Sequence, residues 1–200
     1  HLRWQLAMQS DEFAGPADPA DPADTAIIQT LRFVDPRRFG SLDVAETAEI
    51  SGHKLLHKLG PEPLGPHFTA AYLHARSRGR KVATKQLVMN GHIVVGVGNI
   101  YASEALWRAA ISPHKSAGKL SKPSCARLVA AIVAVLTEAV AMGGTTLRDF
   151  VGGDSAPGYF QQRLDVYGRG GEACNRCADS QIRSAVMGGR MTYWCPHCQR

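Results

Sequence analysis

No window of about 18 residues is both uncharged and apolar, the length a membrane-spanning helix needs, so a transmembrane helix is not expected. The longest apolar stretch, residues 128–142, carries Glu138. The first residues, His1-Leu2-Arg3-Trp4, lack the continuous apolar core of a secretion signal. The chain also starts with His instead of methionine, which points to a processed chain or, better, a piece of a longer protein. Cysteine is sparse: of five, only Cys125 precedes residue 174. With no secretory leader, a reducing compartment is expected, where paired CxxC motifs hold metal more often than disulfides. Acidic residues thin out along the chain. Residues 1–73 are net −4 and residues 74–200 net +10, within a total of +6. A basic C-terminal portion calls for a polyanionic partner, most often nucleic acid.

The 200 residues suit one large domain or two small ones, and 44% hydrophobic content supplies a real core. Residues 1–8 and 27–33 are short, strand-like runs. Between them Gly15-Pro16-Ala17-Asp18-Pro19-Ala20-Asp21-Pro22 opens an Ala-Asp-Pro repeat, whose prolines remove backbone donors and predict a solvated loop. Asp35-Pro36-Arg37-Arg38-Phe39-Gly40 reads as a turn, and the three prolines of residues 60–66 as a linker. Helices are expected over 68–76, 81–89, 99–109 with Asn99 as its cap, and 121–142. In the last, Cys125, Leu128, Val129, Ile132, Leu136, Ala139 and Val140 recur at helical spacing, and Gly143-Gly144 stops the run. Cys125 on that stripe is core packing.

The strongest chemical signal is Cys174-x2-Cys177 followed by Cys195-x2-Cys198. Two thiolates separated by two residues curl onto one metal ion, and two such knuckles complete a closed, tetrahedral, structural zinc site. Residues 174–200 hold too little apolar mass to fold alone, so metal binding supplies the folding energy. His197 lies inside the second knuckle, but four thiolates already fill the shell. Between the knuckles, Gly188-Gly189-Arg190-Met191-Thr192-Tyr193 predicts a β-hairpin whose tip presents a guanidinium. Val95-Gly96-Val97-Gly98-Asn99-Ile100-Tyr101 is not a dinucleotide fingerprint, because Tyr101 stands where the third glycine belongs. It fits a tight turn feeding a helix N-terminus, where backbone N–H groups and the Asn99 amide grip a phosphate.

These motifs, with Leu59-Gly60-Pro61-Glu62-Pro63-Leu64, Gly143-Gly144-Thr145-Thr146-Leu147-Arg148-Asp149-Phe150, Pro157-Gly158-Tyr159-Phe160 and Val166-Tyr167-Gly168-Arg169, resemble in order those of the bacterial formamidopyrimidine-DNA glycosylases. The resemblance covers nearly the whole chain except the Ala-Asp-Pro loop. It implies an α+β fold: residues 1–59 as the remnant of an N-terminal β-sandwich, 66–150 as a helix-two-turns-helix domain, 151–173 as a lesion-recognition loop and connector, and 174–200 as a zinc finger. It implies base-excision repair of oxidised purines, as glycosylase and abasic-site lyase, by a monomeric bacterial cytoplasmic protein acting at the nucleoid on duplex DNA. By resemblance, His1, Asn99 and Arg190 clamp phosphates, Arg80 adds a backbone contact, and Arg37 and Phe39 enter the duplex. Flipping a base costs a few kcal/mol, which such wedges offset. Thr145, Thr146, Tyr159 and Tyr167 belong to the segment closing over the extruded base. Cys174, Cys177, Cys195 and Cys198 hold one Zn2+. The family also assigns Arg190 to the elimination step, but a guanidinium holds its proton too tightly for an acid, which favours the clamp.

The departures are specific. The family's N-terminal proline nucleophile, its following Glu and a sandwich Lys have no counterpart in residues 1–200, and Trp4 stands where a wedge methionine is expected. The chain as given is therefore expected not to form the Schiff base. An inactive damaged-DNA-binding module and a sibling oxidised-pyrimidine glycosylase are the alternatives; the Asp35–Gly40 turn and the 157–167 segment favour the purine enzyme.

Overall fold

The computed structural model of this chain describes residues 40–41, 43–144 and 163–200. The strand expectations at 1–8 and 27–33, and His1, Arg37, Phe39, Thr145, Thr146 and Tyr159, lie outside the described residues. The chain divides into two compact units, His1–Thr47 and Ala48–Arg200. The second carries all that follows.

Its described residues include four α-helices and one hairpin: α1 (Ala70–Ser77), α2 (Thr84–Val88), α3 (Asn99–Arg108), α4 (Lys122–Ala141), β1 (Arg183–Met187) and β2 (Arg190–Trp194). Each helix starts where a cap or a fold contact dictates. The Thr69 hydroxyl accepts the Tyr72 N–H at 3.1 Å, so α1 begins two residues later than expected at Phe68. α2 is shorter than the expected 81–89, because Ala83 pairs with Ser116 in an isolated bridge and the Thr84 N–H is bound to the Lys115 carbonyl. Asn99 is not a cap. Gly98 holds that position in extended geometry, Asn99 is the first helical residue, and no side chain caps the helix. α4 opens on Ser121, which accepts from the Ser124 N–H, and ends at Gly143 and Gly144, whose φ values of 71° and 87° suit glycine.

α4 packs against α1 and α3 and is the spine of the core. Its buried stripe is Cys125, Leu128, Ala131, Ile132, Val135, Leu136 and Ala139. Val140, expected on that stripe, is 70% exposed. Five residues beyond Val135 the helix has turned about 140° away from the core. By length and composition α4 is apolar enough to cross a membrane, which a strict count of uncharged residues had missed. Its buried stripe instead fills the space among Leu73, Leu87, Ile93, Leu106 and Ile111. Fully burying each such side chain contributes about 1.5–3 kcal/mol.

The proline-rich stretch expected as a linker is tied down. The Gly60 N–H donates to the Gly91 carbonyl at 2.7 Å, and the Val95 N–H to the Pro61 carbonyl at 3.3 Å. A Cβ at Gly60 would meet the Ile93 carbonyl at 2.5 Å, so only glycine lets the two chains approach.

β1 and β2 pair antiparallel from Arg183 opposite Trp194 to Met187 opposite Arg190. The two residues between them, Gly188 and Gly189, have φ of 57° and 74°, the tight turn that matches strand twist. The result is the expected mixture of helices with a small sheet.

Candidate nucleic-acid interface and metal centre

The hairpin's two ends carry two different sites. At its base, the four cysteine sulphurs lie within 4.8 Å of one another. Cys174 Sγ is 3.9 Å from Cys198 Sγ, and Cys177 Sγ is 3.8 Å from Cys195 Sγ. Four sulphurs at the Zn–S length of about 2.3 Å form a tetrahedron with edges of about 3.8 Å, so the cluster fits one structural Zn2+ without rearrangement. Burial raises the Cys174 thiol, but hydrogen-bond donors led by the Cys177 backbone N–H outweigh it and bring the pKa down to about 6. The set is closed: all four positions are thiolates, and His197 is not among them.

The finger is fastened to the helices at that base. The buried Gln199 accepts the Cys195 N–H at 2.8 Å and donates to the Ile111 carbonyl at 2.9 Å. The Ser112 N–H donates to the Arg200 carbonyl.

At the far end, Arg190 sits exposed beside the tight turn. The turn leans on α2, since a Cβ at Gly188 would meet Gln86 Nε2 at 2.8 Å. Between hairpin and helices is a cavity of about 300 Å³, lined by Lys85, Gln86, Met89, Gly98, Met187 and Arg190 among others. Lys85, fully covered, reaches across it. Its Nζ donates to Asn99 Oδ1 at 2.5 Å, Thr192 Oγ1 at 2.7 Å and the Met191 carbonyl at 3.3 Å. Burial and the nearby Arg190 guanidinium pull its pKa down to about 8. Because Asn99 Oδ1 accepts from Lys85, the Asn99 amide nitrogen is turned to donate to the Met191 carbonyl at 3.0 Å and the Tyr167 hydroxyl at 3.3 Å. Two cations and an amide held at a helix N-terminus favour an anion.

Tyr167 is positioned from below by Glu104, fully buried on α3. Glu104 accepts the backbone N–H groups of Asp165, Val166 and Tyr167 at 2.8–3.0 Å. Burial pushes its carboxyl pKa up, and those three donors pull against it.

Of the residues expected from sequence, Asn99, Tyr167 and Arg190 are therefore brought to one end of the hairpin, and the four cysteines to the other. Arg80 is not part of this group; its guanidinium Nε donates to the Arg76 carbonyl at 2.8 Å beside the 116–118 turn. Lys85 and Glu104 escaped sequence reading. Lys85 stands between Thr84 and Gln86 on α2, and Glu104 shares α3 with Arg108, so neither stood out as a buried charge in need of partners.

The sequence profile of the formamidopyrimidine-DNA glycosylase H2TH domain matches residues 59–151. That of the zinc finger found in FPG and IleRS matches residues 171–200. The formamidopyrimidine-DNA glycosylase of Thioalkalivibrio sulfidiphilus is 56% identical over 170 residues, covering 85% of this chain and 62% of its own length. The chain thus spans less than two thirds of the relative it matches. The crystal structure of the MutM (Fpg) protein of Thermus thermophilus is similar at TM-score 0.78 and 41% identity, over 86% of this chain and 65% of that one. The Lactococcus lactis Fpg in complex with abasic-site DNA is similar at TM-score 0.70 and 34% identity, over 77% of this chain and 56% of that one.

Proposed function

The chain belongs to the formamidopyrimidine-DNA glycosylase family, and from that premise we propose that it grips damaged duplex DNA for a base-excision glycosylase and abasic-site lyase acting on oxidised purines. In this reading residues 1–59 belong to the β-sandwich, 66–150 form the helix-two-turns-helix domain, 151–173 the lesion loop and connector, and 174–200 the finger. The protein works as a monomer in the bacterial cytoplasm, at the nucleoid.

The observation that supports the reading is the meeting of Lys85 and Arg190 at one cavity beside Gly98, with Asn99 bonded to Lys85 at the start of α3. A DNA phosphate bound there takes the Arg190 guanidinium from one side and the N-terminus of α3, where Asn99 stands, from the other. Lys85 holds the Asn99 amide in register and adds charge that only a bound anion fully offsets. Phosphate contacts of this kind fix position on the duplex and carry no sequence information, which suits an enzyme that must read damage in any sequence. Arg37 and Phe39 supply the wedge, His1 and Arg80 further backbone contacts, and Thr145, Thr146, Tyr159 and Tyr167 the cover over the flipped base. Glu104, by anchoring 165–167, sets where that cover returns to the body.

Fluorescence anisotropy with a duplex carrying a tetrahydrofuran abasic analogue tests this. Tighter binding than to the undamaged duplex, weakening steeply as salt rises, is expected. Equal, salt-insensitive binding to both would contradict it.

A further inference from the structure

Trp107 occupies the next-to-last position of α3 and is only 7% exposed. Its indole Nε1–H is buried and makes no ordinary hydrogen bond, the one such side-chain polar atom among the described residues. A buried donor left unmade is costly, so an orphan of this kind calls for an explanation.

The surroundings supply one. Trp107 packs into a small cluster with Val166, Ile182 and two of the metal-binding cysteines, Cys174 and Cys195. Arg176, from inside the first knuckle, lies over the indole face with its guanidinium carbon 4.1 Å from the ring centre. The same guanidinium reaches the Arg108 carbonyl at 3.4 Å. The knuckle thus folds around the ring, with a cation on its face and the buried indole clustered with Cys174 and Cys195. A neutral thiol is a weak acceptor and draws little from an N–H; a metal-bound thiolate is a strong one.

We propose that Trp107 Nε1–H donates to the Cys174 thiolate of the loaded metal site, so that α3 completes the outer shell of the finger's zinc. Four thiolates on one divalent cation leave the centre doubly negative. The Arg176 guanidinium and the indole N–H bring positive charge against it from one side, alongside the Arg176 and Cys177 backbone donors to the same sulphur. Trp107 is a positioning residue here: it ties metal retention to the docking of finger on helices. Metal loss would free the finger from α3, and a body lacking the indole would hold the metal less well. Outer partners of this kind typically change metal affinity ten- to hundredfold.

The direct test uses the whole chain loaded with cadmium-113 in place of zinc. A proton–cadmium correlation at an indole Hε1, lost in Trp107→Phe while the other indole signals remain, is the expected result. Phe keeps the ring beneath Arg176 and removes only the donor. Trp107→Phe is expected to bind zinc about tenfold or more weakly with helical circular dichroism unchanged. Its cobalt(II) form is expected to show thiolate-to-metal charge-transfer bands at lower energy, because an unbonded thiolate is the better donor. No correlation at the Trp107 indole, or a Trp107→Phe protein with unaltered zinc affinity and cobalt bands, overturns the proposal.

Discussion

The helical body and the finger solve the same problem with different materials. The body buries an extended set of aliphatic side chains on α1–α4 and the loops between them. The finger's cluster has Val166, Ile182 and the borrowed Trp107 besides its cysteines. Apolar burial suffices for the first and falls far short for the second, where metal–thiolate bonds take over. Arg190 stands on the part that hydrophobic packing does not hold, and Asn99 on the part that it does, so the proposed clamp needs both built and docked.

The largest expected effect separates the two regions outright. Cys195→Ala should take zinc content from one per chain to near zero, with DNA affinity lost and helical circular dichroism kept, since the core that holds α1–α4 together contains none of the four cluster cysteines. Loss of the helical signal as well would mean that the body leans on the finger for its own stability.

Next in size is Glu104→Ala, which removes both acceptor oxygens and strands three backbone N–H groups near Tyr167. Urea unfolding should show a loss of about 3 kcal/mol, the cost of breaking a buried charged network. A loss within the ordinary range of surface substitutions, about 0.5 kcal/mol, would show that the 165–167 segment holds without it.

A pH series sharpens the comparison further, because Lys85 pulls folding and binding in opposite directions. Its folded pKa of about 8 lies below the unfolded value of 10.5, so between these the unfolded chain binds more protons. Stability should therefore rise as pH climbs from 8 toward 10.5, as the cost of a buried charge is relieved. DNA affinity should fall over the same range, as the cavity loses a cation. Both trends should vanish in Lys85→Met, followed by urea midpoint and by anisotropy.

The regions also differ in how much their sequence disclosed. The finger was legible because its instructions are local: CxxC spacing sets the ligand geometry, and Gly188-Gly189 sets the turn that presents Arg190. α4 was legible for the same reason, with Ser121 opening it and Gly143 closing it, although the phase at Val140 was misjudged. What stayed hidden depends on residues far apart in the chain. Lys85 meets Thr192 across 107 positions, and Glu104 meets Tyr167 across 63. Asn99 looked like a cap by residue type, yet Gly98 in extended geometry takes that place and frees the amide to face Lys85. The prolines of residues 60–66 read as a linker, because composition does not reveal that Gly60 is pressed against Ile93.

In the proposed clamp one phosphate is held from both regions at once. The salt dependence of duplex binding, measured for the unsubstituted chain and for Arg190→Ala, tests this most directly. Each neutralised phosphate contributes about 0.9 to the slope of log affinity against log salt, so Arg190→Ala should weaken binding to all sequences alike and flatten the slope by about one. An unchanged slope would mean that Arg190 does not touch the DNA backbone, and the two-sided clamp would fail.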